Sequence, residues 1–164
     1  MPTWDLRIYY SVYFRKRRVI QGKVADTKFT QAMNQENLQN VEIKESKLSG
    51  QGLFARKDFK AGKMVLDWNP DSRYLSKEEA YNLTDDQKHF VAFYKEKYLL
   101  IGEPERHMNH SCDPNTETRE GLDFALRNIQ RGEEITGDYT KIRPLLSFMC
   151  NCGSTNCQKI IPGN

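Results

Sequence analysis

Arg106-His107-Met108-Asn109-His110-Ser111-Cys112-Asp113-Pro114-Asn115 crowds imidazole, amide, hydroxyl and thiol side chains into one short stretch. Alone it reads as a polar loop that turns at Asp113-Pro114. Downstream comes Gly132-Glu133-Glu134-Ile135-Thr136-Gly137-Asp138-Tyr139, which alone is a turn leading into a strand. Upstream lies Gly50-Gln51-Gly52, and two glycines at that spacing ordinarily mark a turn. No strand followed by G-x-G-x-x-G and a helix is present, so a Rossmann nucleotide site is not supported.

The four cysteines are Cys112, Cys150, Cys152 and Cys157, and the last three form a C-x-C-x4-C cluster. Structural zinc takes four tetrahedral ligands and favours thiolates. The cluster offers three from one loop, Gly153 lets the backbone turn so that the sulfurs converge, and Cys112 completes the count. Two disulfides or four separate thiols are the alternatives. The N-terminal residues lack the apolar core and cleavage site of a secretory signal, which disfavours disulfides. A catalytic pair of Cys112 with His110 is a weaker rival, because ligation would consume the thiolate and no third orienting group is evident.

Working outward, 164 residues with 38% hydrophobic and 29% charged side chains suit one globular domain with a short appendage. No apolar run approaches the roughly 18 residues of a membrane-spanning helix, so no membrane partner is expected. Intracellular location follows from the missing signal: nuclear or chromatin-bound in a eukaryote, cytoplasmic in a microbe. The net charge is +3, and the basic excess sits in residues 1–40, around Arg15, Lys16, Arg17 and Arg18. That cluster is either a weak nucleic-acid tether or a solvated charge run, and the lack of a second basic cluster favours the latter.

Residues 1–40 stand as a basic, aromatic extension. From Val41 onward, short apolar runs separated by Gly, Pro and Asn predict a mainly β domain. Residues 71–93 are the best helical region, since Ser76 with Glu79 and Thr84 with Gln87 each match the capping box.

Taken together and in this order, the motifs resemble the SET-domain protein lysine methyltransferases over roughly residues 41–159. Gly50-Gln51-Gly52 resembles the family's first cofactor turn. Asn109-His110-Ser111-Cys112 and Gly132 to Tyr139 resemble its two signatures, and Cys150, Cys152 and Cys157 resemble its post-SET zinc loop. The resemblance implies a fold of several small β-sheets with a knot-like C-terminal threading, one short helical insert and a zinc-bound post-SET loop. It divides the chain into a SET domain over 41–145 and a post-SET loop and tail over 146–164.

The same resemblance implies methyl transfer from S-adenosylmethionine to a lysine of a histone tail or other basic protein. Tyr139 is then the central catalytic residue, and Tyr98 a channel-wall aromatic. Gly50, Gln51, Gly52, Asn109 and His110 contact the cofactor. Phe148 either covers the adenine or packs in the core. Arg106 either reaches the cofactor carboxylate or pairs with Glu103 or Asp138. Cys112, Cys150, Cys152 and Cys157 hold Zn2+. Asp138 anchors the loop of Tyr139. Gly137 departs from the pattern, where the family often carries Phe or Tyr, and its small size predicts a wider acceptor channel. The rival reading is a non-catalytic SET-like zinc-containing module that binds peptide or nucleic acid.

Overall fold

A computed structural model of the chain describes residues 38–68 and 73–164. The basic cluster at Arg15, Lys16, Arg17 and Arg18 lies outside the described residues. The first half of the fold contains β1 (Val41–Glu45), β2 (Gln51–Ala55), β3 (Met64–Asp67), β4 (Arg73–Leu75), helices α1 (Lys77–Tyr81) and α2 (Asp85–Lys88), β5 (Val91–Tyr94) and β6 (Lys97–Leu100). A 3-10 turn (Glu105–His107) leads to β7 (Asn109–His110), β8 (Thr116–Arg119), β9 (Leu122–Ala125), β10 (Glu134–Gly137), α3 (Tyr139–Ile142), β11 (Phe148–Met149) and β12 (Ile160–Ile161). The mainly β expectation is met.

These strands form four small sheets among the described residues, in the orders β1-β2-β10-β7, β3-β9-β8, β4-β6-β5 and β11-β12. Two tight hairpins set their registers. Lys95-Glu96 joins β5 to β6, and Glu120-Gly121 joins β8 to β9, with positive φ at both residues of each pair. That backbone matches the right-handed twist of the strands it connects. The pairing that matters most for the site is β7 on β10. It is parallel, with Asn109 opposite Thr136 and His110 opposite Gly137.

The helical insert is shorter and more broken than the sequence suggests. Both capping boxes form, Ser76 with Glu79 and Thr84 with Gln87, but each caps only about one turn. Asn82 closes α1, and Thr84 opens α2. Residues 91–94 are then strand, because Val91-Ala92-Phe93-Tyr94 pairs in full with β6. Tertiary pairing outweighs the weak local helical preference there.

The main core gathers Val41, Leu53, Ala55, Val65, Leu66, Ile129 and Ile135. Leu53 sits at its centre, opposite Ile43 on one side and Ile135 on the other, and is fully buried. Leu53→Ala should lower the unfolding free energy by about 2–5 kcal/mol. Urea denaturation should give a lower midpoint with an unchanged slope.

Candidate functional site

A cleft of about 550 Å³ is lined by Ser49, Gly50, Gln51, Arg106, Asn109, His110, Tyr139 and Phe148, with Phe90, Leu146 and Met149 among its apolar walls. It draws on the β1–β2 turn, the 106–110 segment, the start of α3 and the C-terminal loop. Seven residues singled out in the sequence therefore meet in one place: Gly50, Gln51, Arg106, Asn109, His110, Tyr139 and Phe148.

Asn109 is the tie between these segments. Its Nδ2 donates toward the Ser49 carbonyl at 3.0 Å, the Gln51 carbonyl at 3.2 Å and Glu134 Oε1 at 2.9 Å. The Ser46 hydroxyl donates to the same carboxylate at 2.7 Å. Gly52 borders this knot of bonds rather than the cleft. A Cβ on Gly52 would lie 2.3 Å from Glu134 Oε1, so glycine is required there to let the carboxylate through. Gly50, by contrast, is needed for its positive φ of 45° in the turn, which a side chain would strain. Glu134 and Asn115 carry structural roles that the sequence reading did not assign. Asn115 is buried, accepts from Thr136 N at 2.8 Å and donates to the Glu134 carbonyl at 2.8 Å. Their signal in the sequence was only their membership of the two polar motifs.

Tyr139 opens α3, capped by Asp138, whose Oδ1 accepts from Thr140 N at 2.9 Å. Asp138 thus anchors the loop, as expected. The Tyr139 hydroxyl donates to the Met108 carbonyl at 2.5 Å. Burial pushes its phenol up to about 12, so it stays protonated at neutral pH. The ring packs with His110 and Phe148 at centroid distances of 5.5 and 5.8 Å. Tyr139 N donates to His110 Nδ1 at 3.1 Å. His110 Nε2 therefore carries the proton, and it faces Cys112 Sγ at 3.2 Å. Burial keeps this imidazole below the usual histidine range, in its neutral form.

Arg106 pairs with Glu103, and its guanidinium lies 5.5 Å from the Phe90 ring centre. Tyr98 stands apart from the cleft. It packs against Tyr81 and Phe93, in a cluster with Leu75, Val91 and Leu145. Its hydroxyl accepts from Asn164 Nδ2 at 3.4 Å.

A second, small cavity of about 30 Å³ also borders Tyr139, among Trp68, Phe90, Ala92, Met108, Gly137 and Ile142. Arg106, Tyr139, Phe90, His89 and Pro144 border both cavities. The site thus has two compartments that share these walls, Tyr139 among them.

The four thiols gather beside the large cleft. Their sulfurs lie within 4.8 Å of one another, and Cys112 Sγ is 3.8 Å from Cys150 Sγ. Four sulfurs bound tetrahedrally at about 2.3 Å are about 3.8 Å apart. None is in a disulfide. Donors surround the sulfurs: Cys112 N reaches Cys152 Sγ at 3.4 Å and Gln158 N reaches Cys112 Sγ at 3.3 Å. Burial opposes ionisation of Cys152, yet the Ser154 hydroxyl and the Cys112 amide outweigh it and take the thiol down to about 5. Burial pushes Cys150 up to about 12. Four converging sulfur donors at this spacing fit a tetrahedral metal ion, which would hold them as thiolates. Elemental analysis should find one such ion per chain, lost in Cys152→Ser together with ordered structure at residues 148–161, read by hydrogen exchange.

Comparison with known proteins adds independent evidence. The family model described as "SET domain" matches residues 50–140. The variant-silencing SET domain-containing protein of Plasmodium falciparum is 28% identical over 87% of this chain and 6% of its own length. The histone-lysine N-methyltransferase, H3 lysine-36 specific, of Debaryomyces hansenii is 32% identical over 76% of this chain and 19% of its own length. The chain thus spans a small part of the curated relatives it matches. The methyltransferase domain of human histone-lysine N-methyltransferase SETMAR superposes on 76% of this chain and 58% of that chain, with a TM-score of 0.57 at 16% identity. That likeness concerns the fold.

Proposed function

The chain belongs to the SET-domain family, and from that premise we propose that it is a protein-lysine N-methyltransferase that uses S-adenosylmethionine and carries a structural zinc ion. The observation that carries the reading is the pair of cavities meeting at Tyr139. The larger one has the size of a small-molecule site, and the smaller one suits a single amine. S-adenosylmethionine supplies a methyl group on a positively charged sulfur, for an amine nitrogen to take up.

The residues of this chain fit a cofactor in the large cleft. Phe148, His110 and Tyr139 offer aromatic surface, and the Ser49–Gln51 backbone and Asn109 fix the polar rim. Either the Arg106 guanidinium remains with Glu103 or it turns to a carboxylate in the cleft. The Tyr139 hydroxyl, anchored on the Met108 carbonyl, stands at the junction and orients the reacting groups. Cys112, Cys150, Cys152 and Cys157 hold the zinc.

The acceptor lysine must lose a proton. With an ordinary pKa of about 10.4, holding it neutral at pH 7 costs about 4.6 kcal/mol. Apolar walls from Trp68, Phe90 and Ile142 lower that cost by disfavouring the ammonium form. A shallow groove adjoins at Phe90 and Arg106, where Glu103 is paired with Arg106 and Asp86 is left to meet a basic peptide such as a histone tail. Such a substrate places the chain on chromatin if it acts there.

Labelled methyl transfer from S-adenosylmethionine to core histones and to a whole-cell lysate tests the reading. A discrete labelled band is expected, reduced at least about a hundredfold in Tyr139→Phe. The rate should climb between pH 7 and 9, as the acceptor amine deprotonates, without a fall from Tyr139. Asn109→Ala should weaken cofactor binding by calorimetry. Cofactor binding without transfer to any protein would instead favour the non-catalytic module.

A further inference from the structure

Asp123 is a carboxylic acid in a place built for a hydrophobe. It lies on β9 with no exposed surface, opposite Leu66 on β3 and Thr118 on β8. Its two oxygens are both engaged. The Thr118 hydroxyl donates to Oδ1 at 2.6 Å, and the Trp68 indole Nε1–H donates to Oδ2. Trp68 is itself buried, stacks obliquely on Tyr94 at 5.9 Å and shares a cluster with Ala92, Ile142 and Tyr139. Trp68 and Thr118 both line the small cavity. A buried carboxyl is costly unless it is hydrogen-bonded; here both oxygens are bonded, and one of the bonds fixes the indole in the cluster that includes Tyr139.

Gly137 forms part of the same cavity, but the room it leaves is occupied. A Cβ there would meet Met108 Sδ at 3.1 Å, and that sulfur lies 3.7 Å from the Thr116 hydroxyl, which donates to the Thr136 carbonyl at 2.9 Å. The remaining space is about 30 Å³ among the described residues, enough for about one small polar group. The sequence expectation of a wide channel at Gly137 therefore does not follow, because Met108 and Trp68 fill it from two other segments.

We infer that Asp123 is a positioning residue that holds Trp68 as the wall limiting how many methyl groups the acceptor nitrogen receives. This rests on the transferase reading above. Each transfer forms one N–C bond, breaks the sulfonium S–C bond and releases one proton from the nitrogen to solvent. Each also adds a methyl to a nitrogen that must re-enter the same cavity. In the unaltered chain the first transfer outpaces the later ones, and monomethyl-lysine dominates.

The test is mass-spectrometric resolution of mono-, di- and trimethyl-lysine on core histones. It compares the unaltered chain with Trp68→Phe and Asp123→Leu. Trp68→Phe enlarges the cavity directly. Asp123→Leu removes the acceptor of the indole N–H and releases the ring at nearly constant volume. Both should raise the ratio of second to first transfer about tenfold, relief of a modest steric clash. A merely structural role would slow all transfers alike and leave the ratio unchanged, which would overturn the inference. Dominant trimethylation by the unaltered chain would overturn it too. If no methyl is transferred at all, the transferase reading fails, and the cavity is then read through Trp68 itself. With Trp4→Phe, Trp68 is the one tryptophan left. Emission that responds to methylammonium and not to tetramethylammonium at equal concentration supports the one-amine wall. Equal responses refute it.

Discussion

The parallel pairing of β7 with β10 is the constraint on which the rest depends. It is only two residues long, yet it sets Asn109 against Thr136 and His110 against Gly137. Two segments separated by about 25 residues in sequence thereby share one register. Shift it by a residue and Asn109 turns away from the Glu134 carboxylate, while His110 loses the amide of Tyr139. The short pairing survives because side chains reinforce it. Asn109 bridges from β7 to the β1–β2 turn and to Glu134. Asn115 clamps the Thr136 and Glu134 backbone from the other side. Buried polar bonds of this kind specify one arrangement where hydrophobic packing alone would tolerate several.

The same register links the thiol cluster to Tyr139. His110 accepts from the Tyr139 amide through Nδ1 and points its protonated Nε2 at Cys112 Sγ. A metal-bound thiolate is a better acceptor for that N–H than a neutral thiol. Metal binding would therefore bear on the imidazole, and the imidazole on the first residue of α3. A metal held by the four sulfurs would also brace one side of the cleft, since Cys150 and Cys152 border it with Phe148. His110 links the sulfur cluster to α3 for a simple reason: its two nitrogens face different neighbours.

Much of this was legible in the sequence, for reasons that differ by residue. The thiol count and the C-x-C-x4-C spacing carry their own chemistry, and so do the two capping boxes, which form as written. The cleft was legible only through the order of several motifs, because no single one specifies a fold. Other features were hidden in principle. Nothing local says that Gly52 is glycine on account of Glu134, since that contact spans the chain. Tyr98 is expected as a wall residue through the resemblance alone; here β4 and β5 flank β6, and the ring packs beside Phe93 and Tyr81. Residues 71–93 read as helical because their caps are strong, while the pairing that makes 91–94 a strand lies with β6.

Two compartments that share walls cannot be altered independently. Phe90 and Arg106 border both cavities, and the guanidinium rests over the ring. Moving either changes the space in both cavities. Selectivity is therefore better adjusted from residues that touch only one compartment. In the small cavity Trp68, Met108 and Gly137 are among those, contributed by three different segments. The sequence can exchange bulk among them, a glycine on β10 against a methionine before β7, and keep the volume nearly constant. This exchange explains how a position that looks permissive in one motif is restrictive in the folded chain. It also gives the buried Asp123 a physical role: an indole that sets a boundary must be held in place, and the carboxyl, itself fixed by the Thr118 hydroxyl, takes the indole N–H and holds the ring where packing alone would leave it free to tilt.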